Sequence, residues 1–572
     1  MAPEAQASMP QDDRIALLEA ALAQERARVA ELVRERDLLR ASHEQLRLEL
    51  ELLRRRIFIA KAERIDTTQL EFEFAATLAA LDRLAGITDP SGAVANEEGS
   101  GGTPAPACNK RKPTGRRKLS DLPLDEERVE ITDEELEKLV AAGKAERIGF
   151  EESSKLAYKR GGMRRLVIAR VKYRVVDDQG ESQVETTPMP PECFPRSLAA
   201  PSMLARILVD KYCDGLPLHR LEDRFEREGL PIDRGTMCRW VEQAGATVGA
   251  TVVAAALEEA KQTAFCIATD ATGVAVQPTP RDDGKRQACR RAHYFVLVAD
   301  KDHIFFEYTP KETSAFVSEL FRGYSGYIQA DAKSVYDVLF RRGDHDPPDQ
   351  VPDRIEVADW SHCRRHFWEA AVCKSAVARE ALARIHRIFE LDRTWKGRPP
   401  DQIKSLRNLH LRPHMEAFFA WVDVDYDKVK AQRGLLRSAL GYARRQKDAL
   451  MRVLDDGRLI LENNRSERQL RRIAVGRHAW LFVGSDDHAQ SAANIFSLIA
   501  SARLHGLDPE TYLRDLFRVL AHWPRDRYLE LAPKYWAATR AHLDAAQLAA
   551  EIGPLTVLPP LPMPTEQHPP AN

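Results

Sequence analysis

Two apolar stretches that each end in an aspartate decide how this chain folds: FCIATD at residues 265–270 and GYIQAD at residues 326–331. Short apolar runs of this kind predict buried strands. An acid at the carboxyl end of a strand points into the crevice where open α/β sheets bind ligands. Asp270 and Asp331 are 61 positions apart, which is enough chain to bring the second strand back beside the first. The alternative is two unrelated turn aspartates, which are common at strand ends.

The region around these stretches alternates between strand and helix patterns. Three strands in meander order, followed by helix and strand, predict a mixed α/β sheet with helices on its faces. The candidate strands are residues 263–269, 272–277, 293–299, 303–309, 326–330 and 354–358, and the candidate helices lie near 311–322, 333–341 and 361–376. We therefore expect an α/β core from residues 260–376 and 456–485, interrupted by a helical insertion over 377–455 and followed by a helical region over 486–545.

A basic helix starting near residue 463 offers a third acid. Glu462 and Glu467 differ by five positions, roughly 140° around a helix, so only one of them can face a given site. The surrounding cations are Arg465, Arg468, Arg471, Arg472 and Arg477. Three converging carboxylates can hold two divalent cations, which clamp the entering and leaving oxygens of a phosphodiester. A solvated Arg/Glu helix is the alternative interpretation.

The N-terminal part of the chain carries a heptad pattern and a linker. Apolar residues recur at a and d positions over residues 12–60, which predicts a coiled coil that pairs subunits. A long helix folded back on its own domain is the alternative. Residues 87–120 are rich in Gly, Ser and Pro and end in a basic run. Such a linker either binds phosphate backbones or is only solvated.

Two small domains are expected between the linker and the core. Residues 121–195 read as a small mixed domain with a strand near 166–176. Residues 200–250 read as three short helices, near 202–212, 218–228 and from 234, with Gly229 ending the second. A unit of this type can place its last helix, which carries Arg239, in a DNA major groove. The mixed charges of these three helices are equally consistent with a unit that only packs against the rest of the protein.

Composition excludes several classes of protein. Among 572 residues there are 85 Lys and Arg and 86 Asp and Glu, so a nucleic-acid surface requires local charge segregation. No apolar run reaches the roughly 18–20 residues that span a bilayer. The eight cysteines are scattered singly, as in a reduced cytoplasmic protein. Cys363 and His366 have metal-ligand spacing, but a zinc site needs about four ligands and no second pair is nearby.

With these motifs in view, the chain resembles the transposases of the insertion sequence 66 family. The similar stretches are ENNRSER at 462–468, GRHAWLFVGS at 476–485, GLDPETYL at 506–513, LVDKY at 208–212, LPLHR at 216–220 and QAD at 329–331. An N-terminal leucine-zipper-like coil, a small domain and a trihelical unit also belong to that architecture. The resemblance covers most of the chain beyond the linker.

The resemblance implies a ribonuclease H-like core with an Asp-Asp-Glu triad that binds Mg²⁺ or Mn²⁺, cleaves DNA at element ends and joins it to target DNA. Asp270 and Asp331 fall on the two family aspartates, and the Asn-x-x-Glu-Arg pattern favours Glu467 over Glu462. Asp359 and His362 fit a supporting signature that follows the fifth strand. The implied partners are DNA, a second copy of the chain through residues 12–60 and small accessory proteins, with no membrane. The implied location is the bacterial cytoplasm, at the nucleoid.

The chain also departs from its relatives. Residues 121–195 contain only Cys193, so the family's CxxC zinc module is expected to be lost. The family's Glu-Thr-Pro run after the first aspartate is replaced by ATG at 271–273, and AKS at 332–334 follows the second. Two alternatives therefore stay open: a catalytically inactive DNA-binding oligomer, and a ribonuclease H-like nuclease acting on RNA–DNA hybrids.

Overall fold

The computed structural model describes residues 125–560, apart from 160–161, 177–180, 196, 279–286, 341–353 and 373–374, together with residues 22, 25, 28, 29 and 31. Nearly all of the predicted coiled coil and the whole linker lie outside the described residues. The described chain is a mixed α/β protein with two sheets and many helices. It forms two compact units: His362–Arg458 belongs to one, and the described residues from 125 to 361 and from 459 onward belong to the other.

A four-stranded sheet opens the larger unit. Its elements are β1 (Asp125–Ile131), α1 (Glu134–Ala141), β2 (Ala145–Lys159), β3 (Gly162–Val176) and β4 (Ser182–Thr186). The long strand β3 lies at the centre, where it pairs parallel with β1 and antiparallel with β2 and β4. Its apolar residues alternate toward a small core that includes Leu166 and Ile168.

Helices follow where the sequence predicted the trihelical unit. They are α2 (Pro201–Tyr212), α3 (Leu218–Arg227), α4 (Arg234–Val248) and, after a π-helical turn, α5 (Ala254–Thr263). Gly229 takes a φ of 81° just after α3, and Asp233 caps α4 by accepting from the amides of Gly235 and Thr236. Whether α4 reads DNA stays a prediction.

The second sheet is the predicted mixed sheet. It contains β5 (Cys266–Val276), β6 (Arg290–Ala299), β7 (His303–Thr309), β8 (Gly326–Ala330) and β9 (Arg354–Ala358), with α6 (Ser314–Leu320) between β7 and β8. The strand order is β7-β6-β5-β8-β9. The first three strands form an antiparallel meander, and β5, β8 and β9 run parallel.

Two local predictions in this region are wrong. Residues 263–269 and 272–277 are not two strands joined by a turn, because β5 runs unbroken through Asp270 and pairs with β6 along its whole length. The helix predicted near 333–341 is absent from its described residues, 333–340, which form a turn with a short 3₁₀ segment, Asp337–Leu339, held by i to i+3 hydrogen bonds such as Tyr336 N–H to Lys333 O.

The smaller unit is helical, as predicted for residues 377–455, with no strand among its described residues. After α7 (Trp360–Val372), which starts at the junction of the units, come α8 (Ala376–Thr394), α9 (Pro400–Leu406), α10 (Arg412–Val429), α11 (Leu435–Arg445) and α12 (Lys447–Met451). Arg407 is buried here, where it pairs with Asp392 at 2.7 Å and donates to the Val453 carbonyl at 2.9 Å. A buried guanidinium needs such partners to offset its lost hydration.

The chain returns to the larger unit with five more helices. These are α13 (Asn464–Trp480), α14 (Asp486–Leu504), α15 (Pro509–Val519), α16 (Pro533–Ala541) and α17 (Ala545–Ala549). Helix α14 lies between β7 and α4. Gly245 of α4 allows the close approach, since a Cβ there would stand 2.3 Å from the Ser491 carbonyl oxygen. None of the helices in the described ranges is long and apolar enough to span a membrane.

Serine side chains of α14 cover the outer edge of the mixed sheet. The amide of Phe306 donates to Ser497 Oγ at 2.8 Å, and the amide of Ile304 donates to Ser501 Oγ at 2.9 Å. Residues four apart on a helix and residues two apart on a strand are spaced by similar distances. Consecutive amides that point outward from β7 therefore each find a serine hydroxyl as acceptor. An edge strand covered in this way cannot add another strand.

Candidate active site

Three aspartates lie at the same edge of the mixed sheet. The parallel register pairs Ala268 of β5 with Gln329 of β8, so two residues further Asp270 falls beside Asp331. The register also pairs Ala330 of β8 with Ala358 of β9, so Asp331 falls beside Asp359. Neighbouring parallel strands are about 4.8 Å apart, which makes these acids lateral neighbours. The structure therefore brings Asp270 and Asp331 to one edge and adds Asp359 to the row.

A buried tyrosine lies beside this row. Tyr336 is 2% exposed, and its hydroxyl lies near the Thr269 side chain but makes no hydrogen bond of ordinary geometry within the described part of the chain. Burial raises the pKa of this phenol well above its usual range, and the negative charges of Asp270, Glu312 and Asp331 raise it further. Tyr336 therefore stays a neutral proton donor near three carboxylates. The sequence carried no signal for this role.

A charged chain extends from Asp270 to the neighbouring strand. Lys333 Nζ lies 3.9 Å from Asp270 Oδ1 and 3.9 Å from Glu312 Oε1. Glu312 also faces His293 Nε2 at 3.7 Å. Burial lowers the pKa of His293, and this outweighs the opposing effect of Glu312. Lys333 therefore partly neutralises the acids at this edge of the sheet.

The segment before α13 is hydrogen-bonded across the parallel strands. Gln329 of β8 donates from Nε2 to the Ile460 carbonyl at 2.9 Å. The Trp360 amide, just after β9, donates to the Leu461 carbonyl at 2.9 Å. Asn463 donates from Nδ2 to the Thr269 carbonyl of β5, also at 2.9 Å. These three bonds hold the start of α13 at the acidic edge.

Both candidates for the third acid lie near this edge. A carboxylate oxygen of Glu467 lies within 4.8 Å of one on Asp359, which is fully buried. Glu462 accepts a hydrogen bond from Ser361 Oγ at 3.4 Å. Asp359 also accepts from the Ser361 amide at 2.7 Å, which fixes its side chain at the start of α7. His362 lies in the first turn of α7, and its supporting role stays a prediction.

The basic residues of α13 divide into two groups. Arg465 and Arg468 are exposed, and Arg471 and Arg472 are half-buried. Arg477 is committed to the fold, because Nη1 donates to the Gly273 carbonyl of β5 at 2.7 Å. Arg239 is exposed on α4, where it donates to Thr236 Oγ1 at 2.9 Å. Four of the α13 arginines therefore remain available to a phosphate backbone. The fifth, Arg477, uses its guanidinium to join α13 to β5.

The donor chemistry of the edge suits a hard cation. Asp270, Asp331, Asp359 and Glu467 offer only carboxylate oxygens, the ligands that Mg²⁺ and Mn²⁺ prefer. Asp359 is fully buried, and a buried carboxylate needs a cation or hydrogen bonds to offset its lost hydration. Cys363, which has metal-ligand spacing to His366 in the sequence, is buried within α7 and is not one of these oxygen donors. The residues present therefore fit a magnesium or manganese ion.

The chain combines a mixed sheet that has acids at its parallel edge with a basic helix beside them, and the comparisons with known proteins place it among the transposases. Residues 196–491 match the family described as Transposase IS66 family, and residues 497–533 match the IS66 C-terminal element. The first match covers more than half of the chain, which belongs to the IS66 transposase family.

Three relatives come from Sinorhizobium fredii (strain NBRC 101917 / NGR234). Uncharacterized protein y4hP is 26% identical over 532 residues, which is 88% of this chain and 90% of the relative. Uncharacterized protein y4qI is 24% identical over 68% of this chain and 71% of its own length. Uncharacterized protein y4jD is 25% identical over 63% of this chain and 70% of its own length. The similarity to y4hP extends well beyond the residues matched by the family.

Proposed function

We propose that this transposase acts through a ribonuclease H-like core in which Asp270, Asp331 and Glu467 form an Asp-Asp-Glu triad. It would cut DNA strands at the ends of an insertion sequence and transfer them into target DNA. The single observation that carries the proposal is the register that sets Asp270 beside Asp331 on adjacent parallel strands.

The strand order supports the proposed core. Numbered along the mixed sheet, the order 3-2-1-4-5 combines an antiparallel meander with two parallel strands. In this arrangement the first and fourth strands are neighbours, so acids carried by both converge without a long loop. The helical unit is inserted in the sequence after β9. The chain then continues in the larger unit with α13, the helix that bears Glu467.

The side chains have distinct proposed tasks. Mg²⁺ or Mn²⁺ held by Asp270, Asp331 and Glu467 would supply Lewis-acid activation of a water or 3′-hydroxyl nucleophile. Asp359 orients the start of α7 and faces Glu467. Tyr336 keeps its proton and would offer its hydroxyl as a hydrogen-bond donor beside Asp270 and Asp331. Arg465 and Arg468 contact phosphates without reading sequence.

The remaining parts of the chain complete the proposal. The coiled coil at residues 12–60 would pair two subunits so that two element ends are held together. Helices α2 to α4 would contact DNA as a helix-turn-helix, with Arg239 on the third helix. The domain boundaries given above, the accessory proteins and action at the nucleoid of the bacterial cytoplasm belong to the same proposal.

A nicking assay tests the proposed triad. Supercoiled plasmid carrying the reading frame and its flanking DNA is incubated with the full chain and Mg²⁺ or EDTA. Asp270→Asn, Asp331→Asn and Glu467→Gln should lower cleavage about 10²- to 10³-fold, the order expected when transition-state charge stabilisation is removed, while keeping DNA binding. Glu462→Gln is the matched control and should retain most activity.

The same assay separates the two rival functions. An inactive DNA-binding oligomer binds the plasmid but shows no Mg²⁺-dependent nicking in any variant. A hybrid-specific nuclease cleaves an RNA–DNA hybrid faster than the matched duplex. If Glu462→Gln abolishes cleavage and Glu467→Gln does not, the third acid is Glu462.

A further inference from the structure

The turn after α13 has a costly backbone conformation. Leu481 has a φ of 63° and a ψ of −52°, a region that side chains other than glycine rarely occupy. The Phe482 amide donates to the Trp480 carbonyl at 2.7 Å, which makes the turn a γ-turn of the rare positive-φ form. Strained backbone of this kind persists only where the surroundings hold it, and it clusters at functional sites.

Hydrogen bonds hold the turn on both sides. The Leu481 amide donates to the Arg477 carbonyl at 2.9 Å, which ends the helix. The Val483 amide donates to the Ala275 carbonyl of β5 at 2.9 Å, and the Gln277 amide donates to the Val483 carbonyl at 2.8 Å. The turn is therefore tied to the same strand that carries Asp270.

This strained turn presents apolar side chains to solvent. Leu481 is 68% exposed and Phe482 is 46% exposed. The preceding Trp480 instead folds back against Gly476, where a Cβ would stand 2.6 Å from the indole nitrogen. Rigid and exposed apolar side chains on a costly turn indicate a contact surface.

The exposed side of α13 connects this turn with the proposed triad. Glu467, Arg471 and His478 follow one another at offsets of 4 and 7 residues, which keeps them on one face of the helix, and Leu481 follows in the turn that ends it. The opposite face, with Ile473 and Gly476, is buried. The open face therefore carries an acid at its start, cations along its middle and an apolar tip.

We propose that Leu481 and Phe482 form a binding site for unstacked DNA bases, inserting beside a distorted base step while the α13 cations hold the phosphate backbone. This inference rests on the proposed function, since it needs a DNA strand running along α13. The arginines of α13 lead up to this turn, and their positive charge favours a polyanion such as DNA over a second protein as the binding partner. Base stacking on aromatic side chains is a recurrent way to hold single-stranded DNA.

The geometry also gives a distance. Leu481 follows Glu467 by fourteen positions, which corresponds to about 21 Å at the helical rise of 1.5 Å per residue. With about 3.4 Å per nucleotide along one strand, the apolar tip would meet the base about six nucleotides from the triad.

A fluorescence assay tests the base-binding site. The probe is a 30-base-pair duplex with a central two-base mismatch that contains 2-aminopurine, compared with its fully paired version. We expect the full chain to bind the mismatched duplex more tightly and to raise its 2-aminopurine emission. Phe482→Ala should lower this preference roughly 5- to 150-fold, the range that corresponds to removal of a stacking aromatic side chain.

Three further variants make the result decisive. Val475→Ala removes an apolar residue that is 47% exposed on α13 but lies outside the turn, and it should keep the preference. Leu481→Gly suits the positive φ, so it should fold and still lose part of the preference. Asp270→Asn should keep the preference while losing cleavage, which separates this site from the triad.

Two outcomes would overturn the inference. One is an unchanged mismatch preference in both Phe482→Ala and Leu481→Gly. The other is weaker self-association of Phe482→Ala in sedimentation with unchanged DNA binding, which would assign the turn to a contact between copies of the chain. Cleavage by the wild type would stand in either case.

Discussion

The side-chain amide of Asn463 donates to the main-chain carbonyl of Thr269 at 2.9 Å, and both residues are buried. This one bond joins the helix that carries Glu467 to the strand that carries Asp270. Because 194 residues separate the partners, the bond can form only in the folded protein. It sets the distance between the first and third acids of the proposed triad.

Replacing Asn463 by aspartate should weaken the protein and its proposed activity. Asn463→Asp keeps the shape of the side chain but puts an acceptor against the Thr269 carbonyl. Loss of a buried hydrogen bond with an unpaired group left behind costs about 1–3 kcal/mol. Urea unfolding would measure this loss, and plasmid nicking should fall with it. Asn464→Asp is the control, since an acid in the first turn of α13 favours the helix.

Removing the charge of Lys333 should lower the Mg²⁺ concentration that cleavage requires. Its ammonium lies 3.9 Å from Asp270, so it opposes a divalent cation bound there. A half-exposed pair of this kind is worth about 0.2–1 kcal/mol. Lys333→Gln should therefore lower the Mg²⁺ concentration for half-maximal cleavage about two- to fivefold. Lys301→Gln, an exposed lysine in the β6–β7 turn, should not change it.

The serines that cover the sheet edge should contribute to stability. Ser497→Ala leaves the buried amide of Phe306 without its acceptor. An unpaired buried amide costs about 1–3 kcal/mol, which thermal or urea unfolding can resolve. Ser318→Ala, on the exposed side of α6, serves as the reference and should differ by less than about 0.5 kcal/mol. Equal stability of the two variants would contradict the role given to Ser497.

Glu259 should make stability depend on pH. Burial raises the pKa of this carboxyl, but hydrogen bonds from His303, Lys534 and Tyr535 outweigh burial and lower it to about 2. A depressed folded-state pKa stabilises the protein above the unfolded value, near 4.5, and this stabilisation is lost as pH falls toward 2.

The variant Glu259→Gln tests this linkage. At pH 7 it should be less stable than the wild type by about 2 kcal/mol, after allowance for solvent screening. The difference should shrink between pH 5 and about 2.5, where the wild-type carboxyl takes up its proton. Glu258→Gln, an exposed neighbour on α5, should show no such convergence. Urea unfolding at several pH values would measure both differences.

The sequence predicted the strand and helix pattern of the core well, with a clear failure at ATG, residues 271–273. Glycine in that run was interpreted as a turn. In the structure Gly273 lies within β5, where it pairs with His293, and a Cβ there would stand 3.0 Å from Arg291 Nε on the neighbouring strand. Glycine within a strand can mark the close approach of a neighbouring group as well as a bend. A local sequence pattern does not show which side chain lies on the adjacent strand.

The partners of the acids could not be predicted from residue patterns. Glu312 and Tyr336 have no motif and lie far in sequence from Asp270, yet Lys333 links Glu312 to Asp270 and the charge of Asp270 acts on Tyr336. Arg477 was predicted to bind DNA, whereas its guanidinium first bonds the Gly273 carbonyl. Such contacts depend on strand register and helix rotation, which no short stretch of sequence specifies.

Apolar periodicity and the family motifs by themselves determined the mixed sheet, the helical insertion and membership of the IS66 transposases, because those signals are local and repeat along the chain. Only the tertiary structure decided that Asp270 lies within a strand beside Asp331, that Asn463 fixes the approach of α13 and that Leu481 is strained and exposed. The physical reason is that these features come from hydrogen bonds between residues far apart in sequence, whose geometry exists only once the strands have paired.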